Sequence, residues 1–217
     1  MAYIIGILST KGGVGKSSIA RALAVAISSS GYRVRLCDLD IAQTTTVDWY
    51  RRRLQSGGDS LASVEIFRTV DEALKNTVDM LPNFDAIILD TPGRSSVDTY
   101  KLAQAAHLII QPTSGTLDDL TPAVRLFHEL KAKGIPYEKM VFALNRITTE
   151  AEASQALEYI RRTGYDVLDG IIQDKAGYKM AQNMGRTLLE TNFPTLNETV
   201  DELMGNIIKR LTKQTSL

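Results

Sequence analysis

Aliphatic residues in this chain come in short runs, and stretches with helical spacing separate them. The first run, Tyr3-Ile4-Ile5-Gly6-Ile7-Leu8, leads into a glycine-rich turn. Apolar residues then recur at Ile19, Ala22, Leu23, Ala26 and Ile27. That recurrence is one stripe of a helix, and Gly31 suits the left-handed residue that ends it. Further strand-like runs occupy 33–38, 64–67, 86–89, 108–110 and 140–144. Between the last two, a helix is expected from Thr121-Pro122, with Ala123, Leu126, Phe127 and Leu130 on one face and a stop at Gly134 before Pro136. Beyond them the spacing predicts a helix over 151–162, a short strand over 167–172 and a helix over 176–184. Thr195-Leu196-Asn197-Glu198 reads as a capping box for a final helix carrying Val200, Leu203, Met204, Ile207, Ile208 and Leu211. Strands that are nearly continuous in aliphatics and alternate with helices imply a mostly parallel sheet covered on both faces. The expected fold is α/β and doubly wound, one domain over 1–217.

Composition narrows the function classes without choosing one. Hydrophobic residues make up 44% and charged residues 23%, the balance of an ordinary water-soluble globule. Lys plus Arg and Asp plus Glu are equal at 25 each, so any basic surface is a local patch and not a whole-molecule field. Cys37 is the single cysteine, which excludes a disulfide framework and a cysteine-paired metal or iron–sulfur site. No apolar stretch reaches the roughly 18 residues of a membrane span, and the chain opens directly on a strand. The expected location is the cytoplasm.

The chemistry begins at Lys11-Gly12-Gly13-Val14-Gly15-Lys16-Ser17-Ser18. A strand, a glycine turn and a helix in that order offer several backbone N–H groups and the positive end of a helix dipole to one anion. Glycines let the backbone curl around phosphate oxygens, Lys16 reaches the β and γ oxygens, and the Ser17 hydroxyl can hold Mg²⁺. Downstream, Ala86-Ile87-Ile88-Leu89-Asp90 is an apolar strand ending in an acid. Asp90 should emerge at the carboxyl edge of the sheet beside the loop, as a Walker B acid holding the Mg²⁺ shell opposite Ser17, with Gly93-Arg94 starting a switch loop. Asp38-Leu39-Asp40 adds two more carboxylates, which share a face if the strand continues and diverge if a loop begins. A dinucleotide fold would need a third glycine where this loop has Ser18.

The usual phosphate loop has glycine where this chain has Thr10, and Lys11 is additional. This deviant Walker A form resembles the ParA/MinD family of P-loop ATPases, most closely a small ParA type without an N-terminal helix-turn-helix. The resemblance implies ATP and Mg²⁺ as ligands and an ATP-dependent homodimer in which Lys11 crosses to the partner's phosphates. It assigns Asp38 to the metal-water shell and Asp40 to orienting the attacking water. With Lys11 and Lys16, Asp40 completes the catalytic set. The family continues D-x-D with Pro-Gln, whereas here Ile41-Ala42-Gln43 follows, lacking the proline and moving the glutamine by one. Asn145-Arg146, after the strand over 140–144, resembles the family's adenine-reading pair. Pro112-Thr113 and Gln173-Asp174-Lys175 are candidates for the other wall of that pocket.

In function the resemblance implies a partition ATPase for a plasmid, a chromosome or another intracellular cargo. It would bind DNA without sequence preference, associate with the nucleoid in its ATP state, and hydrolyse ATP when a cargo-bound adaptor stimulates it. Candidate DNA cations are Arg51-Arg52-Arg53, Arg161-Arg162, Lys209-Arg210 with Lys213, and above all Lys175, Lys179 and Arg186. The alternative is a MinD-like membrane switch using the C-terminal helix as an amphipathic anchor, although that helix lacks the aromatic residues of such anchors.

Overall fold

The computed structural model describes residues 2–61, 63–93 and 97–214. Its elements alternate as expected: β1 Tyr3–Ile7, α1 Lys16–Ser29, β2 Val34–Asp38, α2 Thr45–Gln55, β3 Ser63–Ile66, α3 Val70–Met80, β4 Ala86–Asp90, α4 Val97–Ala105, β5 Leu108–Thr113, α5 Leu117–Ala132, β6 Met140–Ile147, α6 Glu150–Arg162, β7 Asp166–Val167, β8 Ile172–Gln173, α7 Ala176–Asn183 and α8 Pro194–Gln214. The strands line up in the order β3-β2-β4-β1-β5-β6-β7, with β8 also on β6, and the paired strands run parallel.

Alternation along each strand divides its side chains between two cores. Ile5, Ile7, Leu36, Ile88, Ile110 and Ala143 face α1, Trp49 and α8. Ile4, Cys37, Ile87, Leu89, Ile109 and Phe142 face the layer that includes Val70, Leu102, Phe127 and Ile160. Both faces of the sheet are therefore dry, which explains why its strands read as unbroken aliphatic runs. The register sets Asp90 abreast of both Ile7 and Asp38, so three strands end together where the glycine loop begins.

Several boundaries differ from the sequence expectation for identifiable reasons. Helix α5 starts at Leu117 instead of Thr121, with Thr116 as its extended cap and Asp118 and Asp119 in the first turn, and Pro122 falls inside it. Proline has no N–H, so the Asp118 carbonyl four residues earlier has no helical donor. Helix α8 starts at Pro194, and Thr195 lies within its first turn, so 195–198 is not a capping box. Asn197 instead accepts from the Thr191 amide and hydroxyl at 3.0 and 2.6 Å. The run over 167–172 splits into β7 and β8, because Gly170 turns at φ 94° with the Leu203 backbone packed against it.

Candidate functional site

The phosphate loop is held from below before any ligand enters. Gly13 and Gly15 take φ values of 81° and 97°, the left-handed region that a Cβ disfavours. The Asn145 amide donates to the Val14 carbonyl at 2.8 Å, and a Cβ on Gly15 would sit 1.9 Å from Asn145 Nδ2. Asn145 is thus buried beneath the loop, with its amide donor engaged by the loop backbone. Its neighbour Arg146 is left-handed at φ 61°, where β6 has an irregular register, and its guanidinium lies near Gly13. The other non-glycine residue with positive φ among the described residues is Thr44, at φ 46° before α2. Both flank one cleft, and such backbone conformations persist only where the surroundings enforce them.

That cleft has a volume of about 440 Å³ and is bounded by Gly12, Gly13, Gly15, Lys16, Ser17, Ser18, Arg21, Asp40, Gly93 and Arg146 among others. Helix α1 opens into it with Gly15 at its cap, no side-chain cap and no acidic residue in its first turn. Its first amides are therefore free for an anion. Lys16 is 7% exposed, and its ammonium donates to the Lys11 carbonyl at 3.1 Å. Burial lowers its pKa, with Asp90 and Asp40 opposing.

On the opposite wall the three acids take different positions. Strand β2 ends at Asp38, and its carboxylate folds back to accept the amides of Asp40 (3.0 Å), Thr46 (3.0 Å) and Val47 (3.4 Å). It is fully buried at the N-terminus of α2, and burial raises its pKa against those hydrogen bonds. Asp40 is beyond the strand on the lip of the cleft, so the two acids diverge. Asp90 is 1% exposed. Its Oδ2 accepts the Thr46 hydroxyl at 2.7 Å, while Oδ1 has no partner. Burial pushes its pKa up to about 6, with the Thr46 and Ser17 hydroxyls opposing. An unpartnered carboxylate oxygen close to a serine hydroxyl at a phosphate loop is a donor set that suits Mg²⁺. Ser17 and Asp90 would hold the metal shell there, with Asp38 supporting the wall behind them.

Lys11 points away from this floor. It is half exposed, and its ammonium contacts the Asp119 carboxylate at 2.5 Å and the Asp118 carbonyl at 3.3 Å. The second of these is the carbonyl that Pro122 left without a donor. Asp119 raises the Lys11 pKa and is itself held low by Lys11 and Ser114. Gly93 lies flush on the loop, since a Cβ there would be 2.7 Å from Gly12 Cα, and Arg94 lies outside the described residues.

Pro112 and Thr113 are buried at the end of β5, whereas Gln173, Asp174 and Lys175 are exposed before α7. Sequence reasoning missed Arg21, Thr46, Asp118 and Asp119. The spacing from Ser17 to Arg21, one helical turn on the same face, is a signal for the first of these. The two aspartates have none, because only the tertiary fold brings α5 to the loop.

The sequence profile described as the CobQ/CobB/MinD/ParA nucleotide binding domain matches residues 5–188. The chain is 29% identical over 163 residues to an iron–sulfur cluster carrier protein of Aquifex aeolicus, covering 59% of this chain but only 44% of that one. It is 23% identical over 190 residues to a maintenance of carboxysome distribution protein A of Gloeobacter kilaueensis, covering 86% and 84%. Among solved structures, the septum site-determining protein MinD of Pyrococcus horikoshii, complexed with Mg-ADP, superposes with a TM-score of 0.72 at 17% identity, covering 99% of both chains. A plasmid partition protein of Borrelia burgdorferi bound to AMPPNP gives 0.73 at 17%, covering 97% and 100%.

Proposed function

The chain belongs to the CobQ/CobB/MinD/ParA nucleotide-binding family, and from that membership we propose that it is a ParA-type partition ATPase. In this reading ATP clamps two copies face to face, the pair binds DNA without sequence preference, and a cargo-bound adaptor triggers hydrolysis and release. The family's domain binds nucleotides, and the Mg-ADP and AMPPNP held by two proteins of the same fold support ATP with Mg²⁺ as the ligand set of this cleft.

The observation that carries the reading is the placement of the two lysines. Lys16 serves its own cleft, whereas Lys11 lies outside it, half exposed and held by a surface ion pair. A cation so placed can transfer to a second copy's phosphates at little cost, since an ion pair whose ammonium is open to solvent is weak. Loop amides and Lys16 bind the triphosphate, and Asp40 at the lip orients the attacking water. Bound Mg²⁺ supplies charge neutralisation on the phosphate oxygens.

Exposed Lys175 before α7, Lys179 on it and Arg186 after it support DNA binding; Lys179, paired with Asp174 at 2.8 Å, lines a shallow depression with Arg52 of α2. Arg53 drops out of the candidate cations, because it is buried in a bidentate pair with Glu190 at 2.8 and 3.0 Å. Val200, Leu203, Met204, Ile207 and Leu211 of α8 lie in the core, which favours this reading over a membrane anchor built from that helix. Among the described residues no helix is long and apolar enough to cross a membrane. An iron–sulfur role has no ligand pair in this chain, whose one cysteine, Cys37, is buried with its thiol pKa pushed up to about 12.

Light scattering with a nonhydrolysable ATP analogue tests the proposal. Wild type should dimerise and Lys11→Ala should remain monomeric with the analogue bound. A Lys11→Ala protein that dimerises and hydrolyses ATP as wild type does would remove the trans-acting lysine.

A further inference from the structure

Thr46 touches both buried acids of the cleft. Its amide holds Asp38 at 3.0 Å and its hydroxyl reaches Asp90 Oδ2 at 2.7 Å. A third contact fixes the direction of that hydroxyl, because Arg21 Nε lies 3.1 Å from Thr46 Oγ1. A guanidinium nitrogen can only donate, so Thr46 Oγ1 accepts from Arg21, and its single proton must go to Asp90. The carboxylate is thereby occupied on Oδ2, while Oδ1 is buried without a hydrogen-bond partner of its own, in a carboxylate that the Ser17 hydroxyl also approaches. Arg21 is in turn fixed by packing. It is 6% exposed and its guanidinium lies 5.5 Å from the centre of the buried Trp49 ring, one turn below Ser17 on α1.

We propose that Arg21 and Thr46 form a positioning relay that selects which oxygen of Asp90 faces the metal shell. The inference rests on the Mg²⁺–nucleotide reading of the cleft and assigns neither residue contact with the nucleotide. A mere counter-charge for two buried acids acts through its charge alone, which lysine supplies as well, whereas the relay needs the Nε–H that lysine lacks. Residues that orient a metal-binding group typically change metal affinity by 10-fold to 100-fold.

The test measures Mn²⁺ affinity by electron paramagnetic resonance in the protein–ADP complex, and ADP affinity in EDTA by fluorescence. Thr46→Val and Arg21→Met should each weaken Mn²⁺ binding roughly tenfold, with ADP affinity in EDTA held to about twofold. Thr46→Ser, which keeps the hydroxyl, should bind Mn²⁺ as wild type does. The double variant Arg21→Met/Thr46→Val should be no weaker than the worse single variant, since one relay is lost once. Arg21→Lys keeps the charge without the rigid Nε–H and should also loosen the metal; it decides the matter if Arg21→Met does not fold. Mn²⁺ affinity equal to or tighter than wild type in the Arg21 variants, or additive losses in the double variant, would overturn the relay. Failure of wild type itself to hold Mn²⁺ with ADP would overturn the underlying reading of the cleft instead.

Discussion

The floor of the cleft and its rim use the same residue types under opposite physics. On the floor, Lys16, Asp38 and Asp90 are all nearly inaccessible, and burial moves each pKa toward the neutral form. At the rim, half-exposed Lys11 and the largely covered Asp119 form a pair that moves each toward its charged form. Charges on the floor are fixed by amides and hydroxyls and await a counter-charge from outside. Those at the rim are already satisfied, but by a contact that is cheap to break. In the proposed function, grip belongs to the floor and exchange with a second copy to the rim.

Four experiments can break or sharpen that division. The largest effect is expected from Asp40→Ala at the rim, which should cut turnover by roughly 10²–10⁴-fold while ATP binding and dimerisation persist. Loss of ATP binding in that variant would move Asp40 to the floor. Next, Lys16→Ala should weaken ATP binding by about 10²-fold through loss of a charge-assisted contact to the phosphates; titration calorimetry showing unchanged affinity would remove the floor's central residue.

A smaller change follows from freeing the rim. Asp119→Asn releases Lys11 from its cis partner and should lower the ATP concentration needed for dimerisation about twofold to fivefold, the value of an exposed pair. A variant that no longer dimerises would instead make Asp119 part of the interface. The smallest effect concerns pH. The folded-state pKa of Asp90, about 6, is above its unfolded value of 3.8. The nucleotide-free protein therefore binds a proton there more tightly when folded, and this contribution to stability declines as pH rises from about 4 through 6. Asp90→Asn should flatten that part of the melting-temperature profile relative to wild type, and a wild-type contribution that rises over the same range would contradict the burial argument.

Much of the floor could be read from the sequence because local rules write it. A strand, two left-handed glycines and an uncapped helix announce themselves by spacing, and an aliphatic run closed by Asp90 does the same. The fold was readable for a related reason, since a sheet dry on both faces leaves continuous apolar runs. The rim was not readable. Nothing near Lys11 in the chain predicts Asp119, and Thr121-Pro122 suggested a helix start where the structure has a helix already a turn old. Proline's tolerance in a first turn and its missing donor inside a helix look alike in sequence; only the position of Lys11 shows what the missing donor is used for. Asn145 belongs to the same class, because its support of Gly15 depends on a strand more than a hundred residues away.

One contact presses the two halves of the cleft together. Gly93 and Gly12 meet backbone to backbone, so no side chain separates the segment after β4 from the phosphate loop. Position 93 has no room for a side chain at that point, so the close approach depends on its being glycine. Any larger residue at position 93 would act as a wedge, prising the end of β4 away from the phosphate loop.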